Sequence, residues 1–162
     1  MTDAFAAPAG PTAPMRPHWP DVLAEAVREL AERPGYHWTG IYLLDGDTLV
    51  LGPFVGHPTE HVRIPLGAGI CGAAATARET IVVDDVRGDP RYLACFATTR
   101  SEIVVPILAG ERVIGEIDVD SDAPAAFGPD DRAALERLAE RLAALAPSGD
   151  VTVPTVRLDA DR

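Results

Sequence analysis

The sequence predicts an α+β fold: a central antiparallel sheet with the N- and C-terminal helices packed on one face. Three observations carry this. Two apolar runs, residues 37–44 and 48–54, flank Asp45-Gly46, where glycine accepts the positive φ of a tight hairpin turn. A second pair of runs, 103–108 and 112–120, flanks Ala109-Gly110. Apolar residues at helical spacing bracket these hairpins at both ends of the chain. Strand pairs joined by turns, with helices outside them, match helix-on-sheet layering.

Residues 1–19, with Pro8, Pro11, Pro14 and Pro17 and no apolar period, are expected to form a flexible arm. The domain itself is expected over 20–147. A helix over 21–33 places Val22, Ala26, Val27 and Leu30 on one face, and Pro34-Gly35 stops it. Strands follow at 37–44, 48–54 and, more briefly, 62–66. A glycine-rich turn from Gly67 to Gly72 leads into a short helix over 73–79. Residues 80–83 read as a strand and 87–100 as an aperiodic loop with room for a helical turn. Pro106 lacks an N–H, so the strand over 103–108 must be bent or lie at an edge there. Gly128-Pro129-Asp130-Asp131 starts the last helix, with proline at its first position and two acids at the positive end of its dipole. Leu135, Leu138, Leu142 and Leu145 make its apolar stripe, and Pro147 and Gly149 end it. Residues 148–162 carry no core pattern and are expected to be a mobile tail.

A chain of 162 residues buries enough apolar surface for one domain without metal or disulfide staples. It has 14 basic and 25 acidic residues, a net charge of −11, which repels phosphate backbones and anionic lipid. Nucleic-acid and membrane partners are therefore not expected. No apolar run approaches the roughly 20 residues of a membrane helix, and no basic-then-apolar leader is visible. Two cysteines make no disulfide framework and fit a reducing, cytoplasmic setting.

The chemistry-bearing residues cluster. Cys71 follows a glycine-rich turn at a helix start, where the dipole would favour a thiolate; it also reads as a small packing residue among alanines. Cys95 sits in the aperiodic loop, the usual place for a reactive group. In Glu116-Ile117-Asp118-Val119-Asp120, strand alternation sends the three acids to one face and the two apolar residues to the other. That acidic face is either solvated or the polar floor of a pocket, able to hold a ligand ammonium or share a proton. Glu102 could lie across from it. Trp38, Gly40 and Tyr42 share a strand face and could wall the same pocket, or simply be core.

Other motifs carry less. Gly67 to Gly72 fits G-x-G-x-x-G, but Asp84 follows Gly72 by 84 − 72 = 12 positions, where a dinucleotide site needs about 20. His57 and His61 are separated by Pro58 and lack a nearby third ligand, so no metal site is expected. Ser101 has neither a neighbouring histidine nor elbow glycines.

Residues 37–143 resemble a GAF domain, and within that fold the free methionine-(R)-sulfoxide reductases. The matching segments run in order from His37-Trp38-Thr39-Gly40-Ile41-Tyr42 through Gly69-Ile70-Cys71-Gly72 and Ala94-Cys95. They end in Ser101-Glu102-Ile103-Val104-Val105-Pro106 and Ile117-Asp118-Val119-Asp120-Ser121. The resemblance implies a GAF-like central antiparallel sheet. It implies Cys95 as nucleophile and Cys71 as a recycling cysteine. Glu102, Asp118 and Asp120 fall on substrate-binding acids, and Trp38 and Tyr42 on the aromatic wall. It further implies free methionine sulfoxide as substrate, a thioredoxin-like reductant, a homodimer, and no cofactor. His61 stands where the family keeps another recycling cysteine, and Phe96 where an aspartate usually follows the nucleophile. Recycling through Cys71, recycling by an external thiol, and no turnover are the alternatives this leaves. The competing functional reading is a non-catalytic GAF module that binds a small molecule or senses redox state through Cys95 and Cys71.

Overall fold

The computed structural model describes residues 17–149 and 153–158. The order is α1 (Trp19–Ala31), β1 (Trp38–Asp45), β2 (Thr48–Val55), β3 (Arg63–Pro65), α2 (Gly69–Ala77) and β4 (Ile81–Val83). A 3-10 turn, Val86–Gly88, precedes β5 (Ser101–Ala109), β6 (Arg112–Ser121), α3 (Pro129–Leu145) and β7 (Val156–Arg157). The sheet runs β3-β2-β1-β6-β5-β4, with antiparallel neighbours throughout. The short β7 lies parallel to β2. This is the expected α+β arrangement.

Each strand face has its own core. Ile41, Leu43, Ile103, Val105, Ile107, Ile117 and Val119 pack with Trp19, Leu23, Val27, Leu30, Leu135, Leu138 and Leu142 of α1 and α3. Both terminal helices thus share one face. The opposite face meets α2, whose Ile70, Cys71, Ala74 and Ala75 pack with Trp38, Tyr42, Leu51 and Val104. Small residues on α2 let it lie close to the sheet.

Several boundaries differ from the sequence reading. The first helix starts at Trp19, with Pro20 inside its first turn, and Trp19 is buried. The arm expected over 1–19 therefore loses its last residue to the domain; residues 1–16 lie outside the described residues. The second helix opens at Gly69 rather than 73, because the glycine turn itself winds into the first helical turn. Leu145, expected on the buried stripe, is 42% exposed at the last residue of α3. Within the expected tail, Val153 is buried and β7 pairs with β2, with Thr155 Oγ1 donating to the Leu51 carbonyl. Backbone pairing needs no hydrophobic period, so composition did not reveal it. Pro106 sits where β5 extends beyond its last β4 partner, Val104, and so has no neighbour on that side to miss an N–H.

Replacing Ile117 by Ala should cost about 2–5 kcal/mol in urea unfolding, because the cavity opens in a closed core. Leu145→Ala should stay within about 0.5 kcal/mol. Equal losses at the two positions would contradict the packing described.

Candidate active site

The site is built on β6. Its alternation holds, with Ile117 and Val119 buried against the helices and Glu116, Asp118 and Asp120 on the α2 face. The register brings the partners alongside. Trp38 lies opposite Asp120, Gly40 opposite Asp118, and Tyr42 opposite Glu116 on β1. On the other flank, Glu102 of β5 faces Asp120. Residues directly opposite each other share a face, so the acids and the aromatic pair line one surface. That surface is not the solvated outer face that the sequence left as an alternative. Glu102, Glu116, Asp118 and Asp120 are each 5% exposed or less, covered by α2 and the segments around it.

The aromatic wall is anchored at both ends. A Cβ at position 40 would run into the Trp38 ring, so Gly40 is what lets the indole lie across β1. Trp38 Nε1 donates to the His57 carbonyl at 3.1 Å, and its ring stacks on Phe54 at 5.9 Å. Tyr42 donates its hydroxyl to the His61 carbonyl at 2.9 Å. The segment holding His57 and His61 is thus tied to the wall through backbone oxygens. Phe96 approaches both Trp38, at 6.2 Å, and His57, at 6.5 Å. The position after Cys95 therefore contributes an apolar ring rather than a charge.

Both thiols face the acids. Cys71, in the first turn of α2, donates its S–H to Asp118 Oδ2 at 3.4 Å. The dipole reading, in which this thiol ionises readily, does not hold. Burial first, then the Asp118, Glu116 and Glu102 carboxylates, push the Cys71 thiol well above its ordinary range. Cys95 is half-buried. Burial and then Asp118, Asp120 and Glu102 push its thiol up too, against a hydrogen bond with Thr59.

The carboxyls respond the same way. Burial lifts Asp118 to about 7, although its hydrogen bond from Cys71 pulls downward. Burial raises Glu102, Asp120 and Glu116 well above the usual carboxylate range, and mutual repulsion adds to it. Asp118 Oδ1 has no hydrogen-bond partner, and the Glu116 oxygens have none besides the Cys71 thiol. The Cys71 thiol lies beside Glu116 as well, but its single hydrogen goes to Asp118. Such a surface holds protons at neutral pH and accepts a cation in exchange for them.

Cys71, Cys95, Trp38, Tyr42, Glu102, Asp118 and Asp120 all border this surface. Sequence reasoning placed Glu116 on the same strand face without naming it a site residue; the alternation already contained it. Thr59 and Phe54 were missed as site neighbours. Thr59 lies in an aperiodic segment and Phe54 reads as ordinary strand core, so neither carried a signal.

The model of the GAF domain family matches residues 18–145. The chain belongs to the GAF domain family. Within that family, it is 41% identical over 106 residues to the free methionine-R-sulfoxide reductase of Escherichia coli. The match covers 65% of this chain and 64% of that enzyme, just under two thirds of its length. The type II free methionine-R-sulfoxide reductase of Thermoplasma acidophilum superposes with a TM-score of 0.76 at 43% identity, covering 78% of this chain and 91% of that one. The enzyme of Neisseria meningitidis, solved in complex with its substrate, gives a TM-score of 0.76 at 42% identity, covering 79% and 77%.

A raised thiol pKa leaves little thiolate near neutrality. Iodoacetamide should therefore modify Cys95 of this GAF protein at least about tenfold more slowly than free cysteine at pH 8. The rate should still climb above about pH 9, where free cysteine has levelled off. Peptide mass spectrometry separates Cys95 from Cys71, and a rate that plateaus with free cysteine would contradict this electrostatic reading.

Proposed function

We propose that this GAF protein reduces free methionine-(R)-sulfoxide to methionine through a cysteine sulfenic acid. One observation carries the reading: a half-buried thiol, Cys95, shares a surface with buried acids and an aromatic wall. The similarity to free methionine-R-sulfoxide reductases supports it. An amino-acid substrate offers an ammonium to offset the carboxyls Glu102, Asp118 and Asp120. Its methyl sulfoxide end suits the Trp38 and Tyr42 rings. Once the ammonium neutralises part of the acidic field, the Cys95 thiol ionises more easily.

The Cys95 thiolate attacks the sulfoxide sulfur, its proton having passed to a neighbouring base. One of Asp118, Asp120 or Glu102, kept protonated by burial, delivers a proton to the sulfoxide oxygen. The protonated oxygen passes from the substrate sulfur to Cys95 as the S–S bond formed in the attack breaks; methionine leaves, and Cys95 is left as a sulfenic acid. The substrate sulfur gains two electrons and the Cys95 sulfur loses them. Cys71, which faces Asp118 as Cys95 does, then condenses with the sulfenic acid to a disulfide and releases water. A thioredoxin-like dithiol restores both thiols. His61 offers no thiol, so Cys71 is the internal resolving group in this reading. We place the protein in the cytoplasm as a homodimer. No helix among the described residues is long and apolar enough to cross a membrane.

Purified protein given free methionine-(R)-sulfoxide and dithiothreitol should yield methionine. Cys95→Ser should abolish it, because a serine hydroxyl cannot ionise where a thiol can. Cys71→Ser should slow only the thioredoxin-coupled reaction. Non-reduced peptides after stoichiometric sulfoxide should show Cys71 joined to Cys95. Full turnover by Cys95→Ser would refute the assignment and leave the small-molecule-binding reading. A Cys95 sulfenic acid never joined to Cys71 would make the resolving thiol external.

A further inference from the structure

Cys71, Glu102 and Asp118 come from α2, β5 and β6, and their ligand atoms lie within 4.8 Å of one another. Cys71 Sγ and Asp118 Oδ2 are 3.4 Å apart. A sulfur at about 2.3 Å and an oxygen at about 2.0 Å from tetrahedral zinc are separated by about 3.5 Å. Two ligands therefore already stand at zinc spacing, and a turn of the Glu102 side chain would close the remaining gap. An independent observation points to a missing cation. Asp118 Oδ1, buried, has no hydrogen-bond partner, and the Glu116 oxygens have only the Cys71 thiol beside them, whose single hydrogen goes to Asp118 Oδ2. Buried polar oxygens are costly when left unpaired, and a bound cation removes that cost.

The ligand chemistry selects the ion. Magnesium and calcium take oxygen ligands in larger numbers, whereas thiolate with carboxylate suits zinc. We propose that Cys71, Glu102 and Asp118 form a binding site for one Zn²⁺ ion, with the Glu116 carboxylate next to it. The metal replaces the hydrogen on Cys71 Sγ, and the displaced protons pass to the buffer. His57 and His61, the metal-type residues of the sequence, lie outside this set. Coordination requires only these side chains and does not depend on the reductase reading. Its consequence does: zinc occupies two of the acids assigned to the substrate, so metal and substrate exclude each other and zinc acts as an inhibitor.

Cobalt(II) is the spectroscopic probe, added anaerobically to the reduced full-length chain. One equivalent should produce a thiolate-to-cobalt charge-transfer band in the near ultraviolet, and one equivalent of zinc should remove it. Cys95→Ser should retain the band and Cys71→Ser should lose it. Glu102→Gln should weaken zinc binding by at least about tenfold, since even changes outside the ligand shell cost roughly 10–100-fold. In the unmutated protein, zinc should protect Cys71 from alkylation, which settles the ligand even if Cys71→Ser does not fold. Zinc should also raise KM for the sulfoxide without lowering kcat. A wild-type protein with no band, a band that survives Cys71→Ser, or one lost in a folded Cys95→Ser overturns the proposal. If methionine forms but no band appears, only the metal site fails; if the band appears without methionine formation, only the reductase reading fails.

Discussion

Four carboxyl groups, Glu102, Glu116, Asp118 and Asp120, lie buried on one face of the sheet, and the remaining architecture holds them there. Charged carboxylates this close, with little water, repel one another and lose hydration. Protons are the simplest relief, which is why every one of these groups is pushed up. Burial first, and then the same field, push the Cys71 and Cys95 thiols up. A ligand that brings positive charge reverses all of these effects at once.

A face of this kind weakens the fold, and the opposite face compensates. The residues of β6 alternate between the two tasks. Ile117 and Val119 pack into the core of α1 and α3, while Asp118 and Asp120 point into the site. Because successive side chains of a strand lie on opposite faces, one ten-residue strand positions the chemistry and anchors it with the same backbone. Its central place, between β1 and β5, restricts the motion of the acids further.

The wall and the cover belong to less regular segments. Trp38 lies flat only because residue 40 has no side chain, and its indole is tied to the chain at His57. Phe96, following Cys95, closes on the same ring. His61 lies against Tyr42 through its carbonyl, so the position where the resemblance places a further cysteine borders the site in this chain too.

By itself the sequence determined the alternation of Glu116, Asp118 and Asp120 against Ile117 and Val119, the two hairpins, and the apolar stripes of the terminal helices. These are local properties: period and turn chemistry act between residues a few positions apart. The family resemblance carried Cys95, Cys71, Glu102, Trp38 and Tyr42 into one site before any contact was known. Only the tertiary structure decided whether the acidic face is wet or buried, because that depends on where α2 lies relative to β6. The direction of the Cys71 shift was decided the same way: the helix start favours a thiolate, but burial against Asp118 outweighs it. Pairing of β7 with β2 was equally illegible, since two residues bonded through their backbone leave no mark in side-chain pattern. Register, burial and long-range contact belong to the assembled chain, and no window of sequence contains them.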